Sequence, residues 1–134
     1  MTPRSYFLEL QQLALATAFV ATCDLTYQEI NATRCYVSGS LLLKNGCHLF
    51  VAEFVIVTDT IERPKYRYHL QGTDGSLVTR WDNAPHHPHI ATHPAHKHEA
   101  DGTVVACAAM DFGCRVGGHT WAPVTAAVTY SSAI

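Results

Sequence analysis

At 134 residues, with 48% apolar and 15% charged side chains, the chain has the composition of one globular domain whose core needs no staples. Nine basic against eleven acidic residues leave a formal charge of −2, which excludes a global basic footprint and confines any RNA contact to a local patch. No apolar run approaches the ~20 residues of a membrane span, and five cysteines without CxxC spacing read as reduced, buried thiols and not as a disulfide framework.

Thr2-Pro3 has the form of an N-cap followed by proline at the first helical position. Tyr6, Leu10, Leu13, Thr17 and Val20 then recur at helical spacing, so residues 3 to 20 are predicted to form one amphipathic helix. Glu9, Gln11 and Gln12 interrupt that region and only Arg4 precedes it, which is a poor signal peptide. A cytoplasmic, non-membrane protein is expected. From Cys23 the apolar period becomes two, predicting a strand over Cys23 to Glu29. Arg34 to Lys44 and Cys47 to Val57 should form a hairpin around Asn45-Gly46, a type I′ signal. That turn would set Glu53 opposite Ser38, where a lone carboxylate reads as a sheet-edge or backbone-bonded residue.

A second hairpin is predicted from Tyr66 to Thr73 and Ser76 to Asp82, turning at Asp74-Gly75. A two-residue loop there pairs His69 with Arg80 and Arg67 with Asp82. Alternation gathers these four on one face and leaves Tyr66, Tyr68, Leu70, Thr79 and Trp81 on the other, where core packing is the better reading than base stacking. Residues 83 to 100 lack periodicity and should form an ordered loop rich in Pro and His. Gly102 to Ala108 reads as a last strand, and Ala126, Val128 and Tyr130 as a short addition. The expected fold is α+β: an N-terminal helix packed on an antiparallel sheet of five to six strands, with the His/Pro-rich loop near the site, in a single domain over 1–134.

Seven of the nine histidines lie between His69 and His98. Imidazole exchanges protons near neutral pH and is the commonest metal ligand, so this segment is where chemistry is expected. For metal-independent RNA cleavage, His69 serves as one acid/base, Arg80 stabilises the phosphorane charge, and His87 or His96 is the second acid/base. Asp82 would orient an imidazole or the Arg67 guanidinium. Arg67, His86, Lys97 and His98 would bind substrate. Two readings compete with this one. Arg67, Arg80 and Asp82 fit a cross-strand ion-pair ladder of little energetic worth. Alternatively, the loop makes the chain a non-catalytic or metal-stabilised protein-binding module: His86, His87 and His89, or His93, His96 and His98, could supply imidazoles to a zinc site that Asp82 or Glu99 completes, although the spacing is no specific zinc motif.

The run Tyr66-x-Tyr68-His69, Gly75, Arg80-x-Asp82-Asn83-Ala84-Pro85-His86-His87 and Pro94-x-His96-Lys97-His98 resembles the TumE family of type II toxin–antitoxin toxins. Weaker agreement includes Ser5-Tyr6, Leu25-Thr26-Tyr27, Asn45-Gly46 and Glu53-Phe54. The resemblance spans residues 5 to 108, leaving 109–134 as an atypical tail. Ala95 stands where the family often has His. The resemblance implies a toxin with an antitoxin partner carrying a helix-turn-helix domain; action on RNA is what the residues suggest. No cofactor is expected, zinc being the alternative, and a homodimer is compatible with it.

Overall fold

A computed structural model describes residues 1–111. A single helix, α1 (Pro3–Ala16), precedes seven strands: β1 (Val20–Glu29), β2 (Arg34–Leu43), β3 (His48–Val57), β4 (Ile61–Gln71), β5 (Leu77–Asp82), β6 (His96–Glu99) and β7 (Val104–Ala106). All seven form one antiparallel sheet in strict chain order. The α+β class agrees with expectation, but the sheet has seven strands and not five or six. The short strand expected around Ala126 to Tyr130, like Cys114 and most of the atypical tail, lies outside the described residues.

Thr2 caps α1 as expected, its hydroxyl accepting from the Ser5 amide while the Ser5 hydroxyl accepts from the Thr2 amide. The helix ends four residues earlier than its periodicity predicts. Phe19 and Val20 instead join the β2 edge, where the Lys44 amide donates to Phe19 O. Thr17, Phe19, Val20 and Thr22 are β-branched or aromatic, so sheet pairing competes well with another helical turn. Tyr6, Phe7, Leu10 and Ala14 bury one helix face against Leu25, Val37, Leu41 and Val51. Each fully buried side chain of this size contributes about 1.5–3 kcal/mol.

The hairpin turns differ from expectation in an instructive way. Among the described residues no non-glycine residue has positive φ, whereas Gly46 has φ +89° and Gly75 φ +84°. A type I′ turn requires positive φ at both central positions, so neither turn is of that type. Each is a three-residue loop closed by glycine: Leu43 N–H donates to Cys47 O, and Gly72 N–H to Ser76 O. Before each glycine, Asn45 or Asp74 accepts from the amide two residues on. The same arrangement recurs at Ala100-Asp101-Gly102, joining β6 to β7. This turn shifts the β2–β3 register by one, so that Glu53 lies opposite Val37 and not Ser38.

At the β4–β5 hairpin the same one-residue shift is cancelled. Leu70 pairs with Thr79 while Gln71 pairs with Leu77, leaving Val78 as an extra residue on β5. Beyond this bulge His69 faces Arg80 and Arg67 faces Asp82, as the hairpin reading expects. β4 begins earlier than expected because another irregularity, between Phe54 and Ile56 of β3, accommodates Pro64, which has no amide for the ladder.

Candidate functional site

One face of the sheet lies against α1 at its β1–β3 end; the other is open. Side-chain alternation and register build a two-row array on the open face. One row runs Phe50, His69, Arg80, His98 across β3 to β6; the next runs Ala52, Arg67, Asp82, His96. Tyr66, Tyr68 and Trp81 turn the opposite way and are buried core, 5%, 0% and 5% exposed. His96 and His98 share a face because they are two apart on β6, a strand where a loop is predicted. Lys97, between them, faces the other way and pairs with Glu99 at 3.2 Å; it is not brought to the array with Arg67 and His98.

After β5 the chain does not leave the sheet freely. Asn83 continues the ladder with its side chain, accepting from Tyr66 N–H at 3.0 Å and donating to Pro64 O at 3.1 Å. Tight turns then carry the loop back to Thr92, whose hydroxyl accepts from the Cys107 amide. This path folds the half-buried His87 inward over the array, while His86, His89 and His93 are exposed. The His87 ring centroid lies 4.9 Å from that of His96 and 5.7 Å from that of His98.

Asp82 is the hub. Its side chain is nearly buried, with Oδ1 2.9 Å from His96 Nε2 and Oδ2 3.3 Å from His98 Nε2. Oδ1 also accepts from the Ala84 amide at 3.0 Å. Among the described residues no ion pair joins Asp82 to Arg67 or Arg80, so the expected cross-strand ladder is replaced by an imidazole–carboxylate cluster. The nitrogens of His87, His96 and His98 lie within 4.8 Å of one another. Of the candidate zinc ligands, His87, His96 and His98 belong to this group and the exposed His86, His89 and His93 do not; Asp82 lies beside it, in contact with His96 and His98.

Arg80 Nε is buried and has no hydrogen-bond partner. An unsatisfied charged donor is costly unless an acceptor arrives, and Arg80 lies between two imidazoles. Burial, then the Arg80 charge, hold His69 below its ordinary value of 6.5. Burial likewise lowers His98, against the pull of Asp82. Phe50, 40% exposed, presents its ring 6.1 Å from His69. Beside Arg67 a pocket of about 260 Å³ is lined by Tyr36, Lys65, Asp82 and Asn83. Phe50 on β3 and Tyr36 on β2 were not singled out from sequence; β3 is apolar on both faces, so alternation carries no contrast there.

A separate polar network is buried beneath the helix. Glu53 is fully buried, and its two oxygens accept from the Tyr6 and Tyr68 hydroxyls, each at 2.5 Å. Arg63 Nε lies 3.4 Å from Oε2. Burial pushes this carboxyl up, opposed by Arg63 and the two phenols. The strand carrying it is paired on both sides, so Glu53 is neither an edge residue nor bonded to backbone as expected. It is the tie between α1, β3 and β4. Cys35 and Cys47 are buried free thiols, and Cys23 and Cys107 are partly exposed ones; burial raises all four, which leaves them poor nucleophiles. No helix among the described residues is long and apolar enough to cross a membrane.

Comparison with curated proteins and with solved structures gives no match. A family model described as "Toxin TumE" matches residues 10–121. The match takes in the whole sheet, both parts of the imidazole cluster and Arg80, and runs past Ala108 into the segment that sequence reading sets apart as a tail. By a match covering most of its length, the chain belongs to the TumE toxin family.

Proposed function

We propose that this toxin acts by cleaving RNA on the open face of the sheet, and that a co-encoded antitoxin with a helix-turn-helix domain restrains it. The carrying observation is the row His69, Arg80, His98 on three adjacent strands, with a buried, unsatisfied guanidinium nitrogen at its centre. Arg80 and the exposed Arg67 hold the scissile phosphate and stabilise charge developing on its oxygens. His69 takes the 2′-hydroxyl proton, and a proton held at the Asp82–His87–His96–His98 cluster goes to the leaving oxygen. Phe50 and Tyr36 offer ring faces for neighbouring bases. Relative to the residue-level expectation, His98 moves from substrate binding to the cluster itself, and Lys97 drops out.

Purified protein should cleave total RNA to leave 2′,3′-cyclic phosphate ends, and His69→Ala should abolish that product. Intact RNA after prolonged incubation with folded protein would remove the nuclease reading. The pH dependence has a defined sign. A base held below 6.5 stays deprotonated at neutral pH, so the acid limb of kcat/KM should fall below that value. Arg80→Gln removes a neighbouring positive charge, so in that variant the limb should move up. An acid limb at or above 6.5 in the wild type would assign the base elsewhere.

A further inference from the structure

We propose that Asp82, His87, His96 and His98 form a binding site for one zinc ion. The first ground is proton bookkeeping. His96 Nδ1 lies 2.8 Å from Pro94 O, and a carbonyl only accepts, so Nδ1 carries the hydrogen. In the neutral ring Nε2 then holds a lone pair, yet it faces Asp82 Oδ1 at 2.9 Å and His98 Nε2 at 3.1 Å. At Asp82 acceptor meets acceptor unless a proton or a metal cation lies between them, whereas His98 Nε2 can donate to His96 in one tautomer. A proton on His96 would serve the one pair with Asp82. It would not explain why His98 Nε2 and a nitrogen of His87 converge on the same point.

The second ground is geometry. Ligand atoms of a tetrahedral zinc site, bound at about 2.0–2.1 Å, lie roughly 3.3 Å from each other. The contacts around Asp82 and the two strand histidines span 2.9–3.3 Å, close to that spacing, and His87 offers a nitrogen within 4.8 Å of those of His96 and His98, so its loop must draw in to close the set. Three imidazoles and one carboxylate suit zinc, whereas magnesium and calcium require oxygen ligands. The supporting contacts are also those of a metal centre: a backbone carbonyl fixes the His96 tautomer, and the Ala84 amide orients Asp82. Three of the ligands sit on paired strands, and His87 closes the set from the loop.

With the ion in place these ligands no longer exchange protons, and four of them fill a tetrahedral shell, so the leaving oxygen would take its proton from solvent. That consequence rests on the RNA reading; the site itself does not. The test uses the full-length chain, stripped with EDTA, freed of chelator and titrated with zinc chloride by calorimetry. Metal content after gel filtration is measured in parallel. Wild type should take up one equivalent, and His87→Ala and His98→Ala should weaken binding by ~10-fold or more. His86→Ala and His93→Ala should bind as wild type. His87 sits on the loop, so its variant should keep the wild-type circular dichroism and separate ligand loss from unfolding. Uptake well below one equivalent, or uptake indifferent to His87→Ala and His98→Ala, overturns the proposal. Zinc bound in this pattern by a protein that leaves RNA intact supports the site and removes the nuclease reading. RNA cleavage by a chain that takes up no zinc does the reverse.

Discussion

Arg80→Ala is expected to slow RNA cleavage about 10²–10³-fold, the usual loss when one preorganised donor to a developing oxyanion is removed. The same change should leave the urea midpoint nearly unmoved, because Arg80 Nε has no partner in the resting protein to lose. That pairing of outcomes separates a catalytic guanidinium from a structural one. His69→Ala should cost about 10²–10⁴-fold, as loss of a general acid or base does. Lys97→Ala makes the internal control. It lies one residue from both His96 and His98 but on the opposite face, so its rate should stay close to that of the wild type. An Arg80→Ala enzyme that cleaves at the wild-type rate would take the chemistry away from this face.

Glu53→Ala is expected to destabilise the fold by about 3–5 kcal/mol, the cost of leaving a buried charge without its partner. Two phenol hydroxyls and the Arg63 guanidinium converge on this carboxylate, and alanine would take their shared acceptor away, leaving Arg63 its bond to the Tyr6 hydroxyl. Tyr6→Phe and Tyr68→Phe should each cost less, about 1.5–3 kcal/mol for a hydrogen bond to a charged group. Since both phenols share one carboxylate, the double variant should differ from the sum of the singles. Urea denaturation followed by circular dichroism measures all four. Any Glu53→Ala protein that stays folded should still take up zinc, because the cluster lies across the sheet. A midpoint unchanged in Glu53→Ala would show that the network contributes little.

How far these features can be read without the fold depends on the kind of signal each residue carries. The β4–β5 hairpin is legible because apolar and polar residues alternate cleanly there, but the pairing of His69 with Arg80 holds only because the bulge at Val78 offsets the three-residue turn. The turn chemistry is legible only in part. Asn45-Gly46 and Asp74-Gly75 mark their hairpins, but two- and three-residue loops share the same dipeptide, and only the backbone angles distinguish them. Asp101-Gly102 carries that mark too. Recognising it would have revealed β6 and β7 and placed His96 and His98 on one face. The loop histidines stand differently: nothing local separates His87 from His86, since which ring turns inward is decided by contacts with strands far along the chain. Glu53 is the hardest case, because its partners come from the helix and from β4, and a carboxylate in an apolar strand announces none of them.

The consecutive strand order bears on how the molecule comes into being. Each strand pairs with the one made just before it, so a chain emerging from the ribosome can extend its sheet without waiting for distant partners. The carboxylate tie under the helix is complete once β4 has been made. Asp82, His87, His96 and His98 follow, with the last two residues of the cluster among the final strands described. A chain interrupted before residue 96 therefore holds the helix, five strands and the buried anchor, yet lacks the groups that complete the cluster. Synthesis would thus yield the scaffold first and the complete imidazole–carboxylate cluster only once β6 has been made.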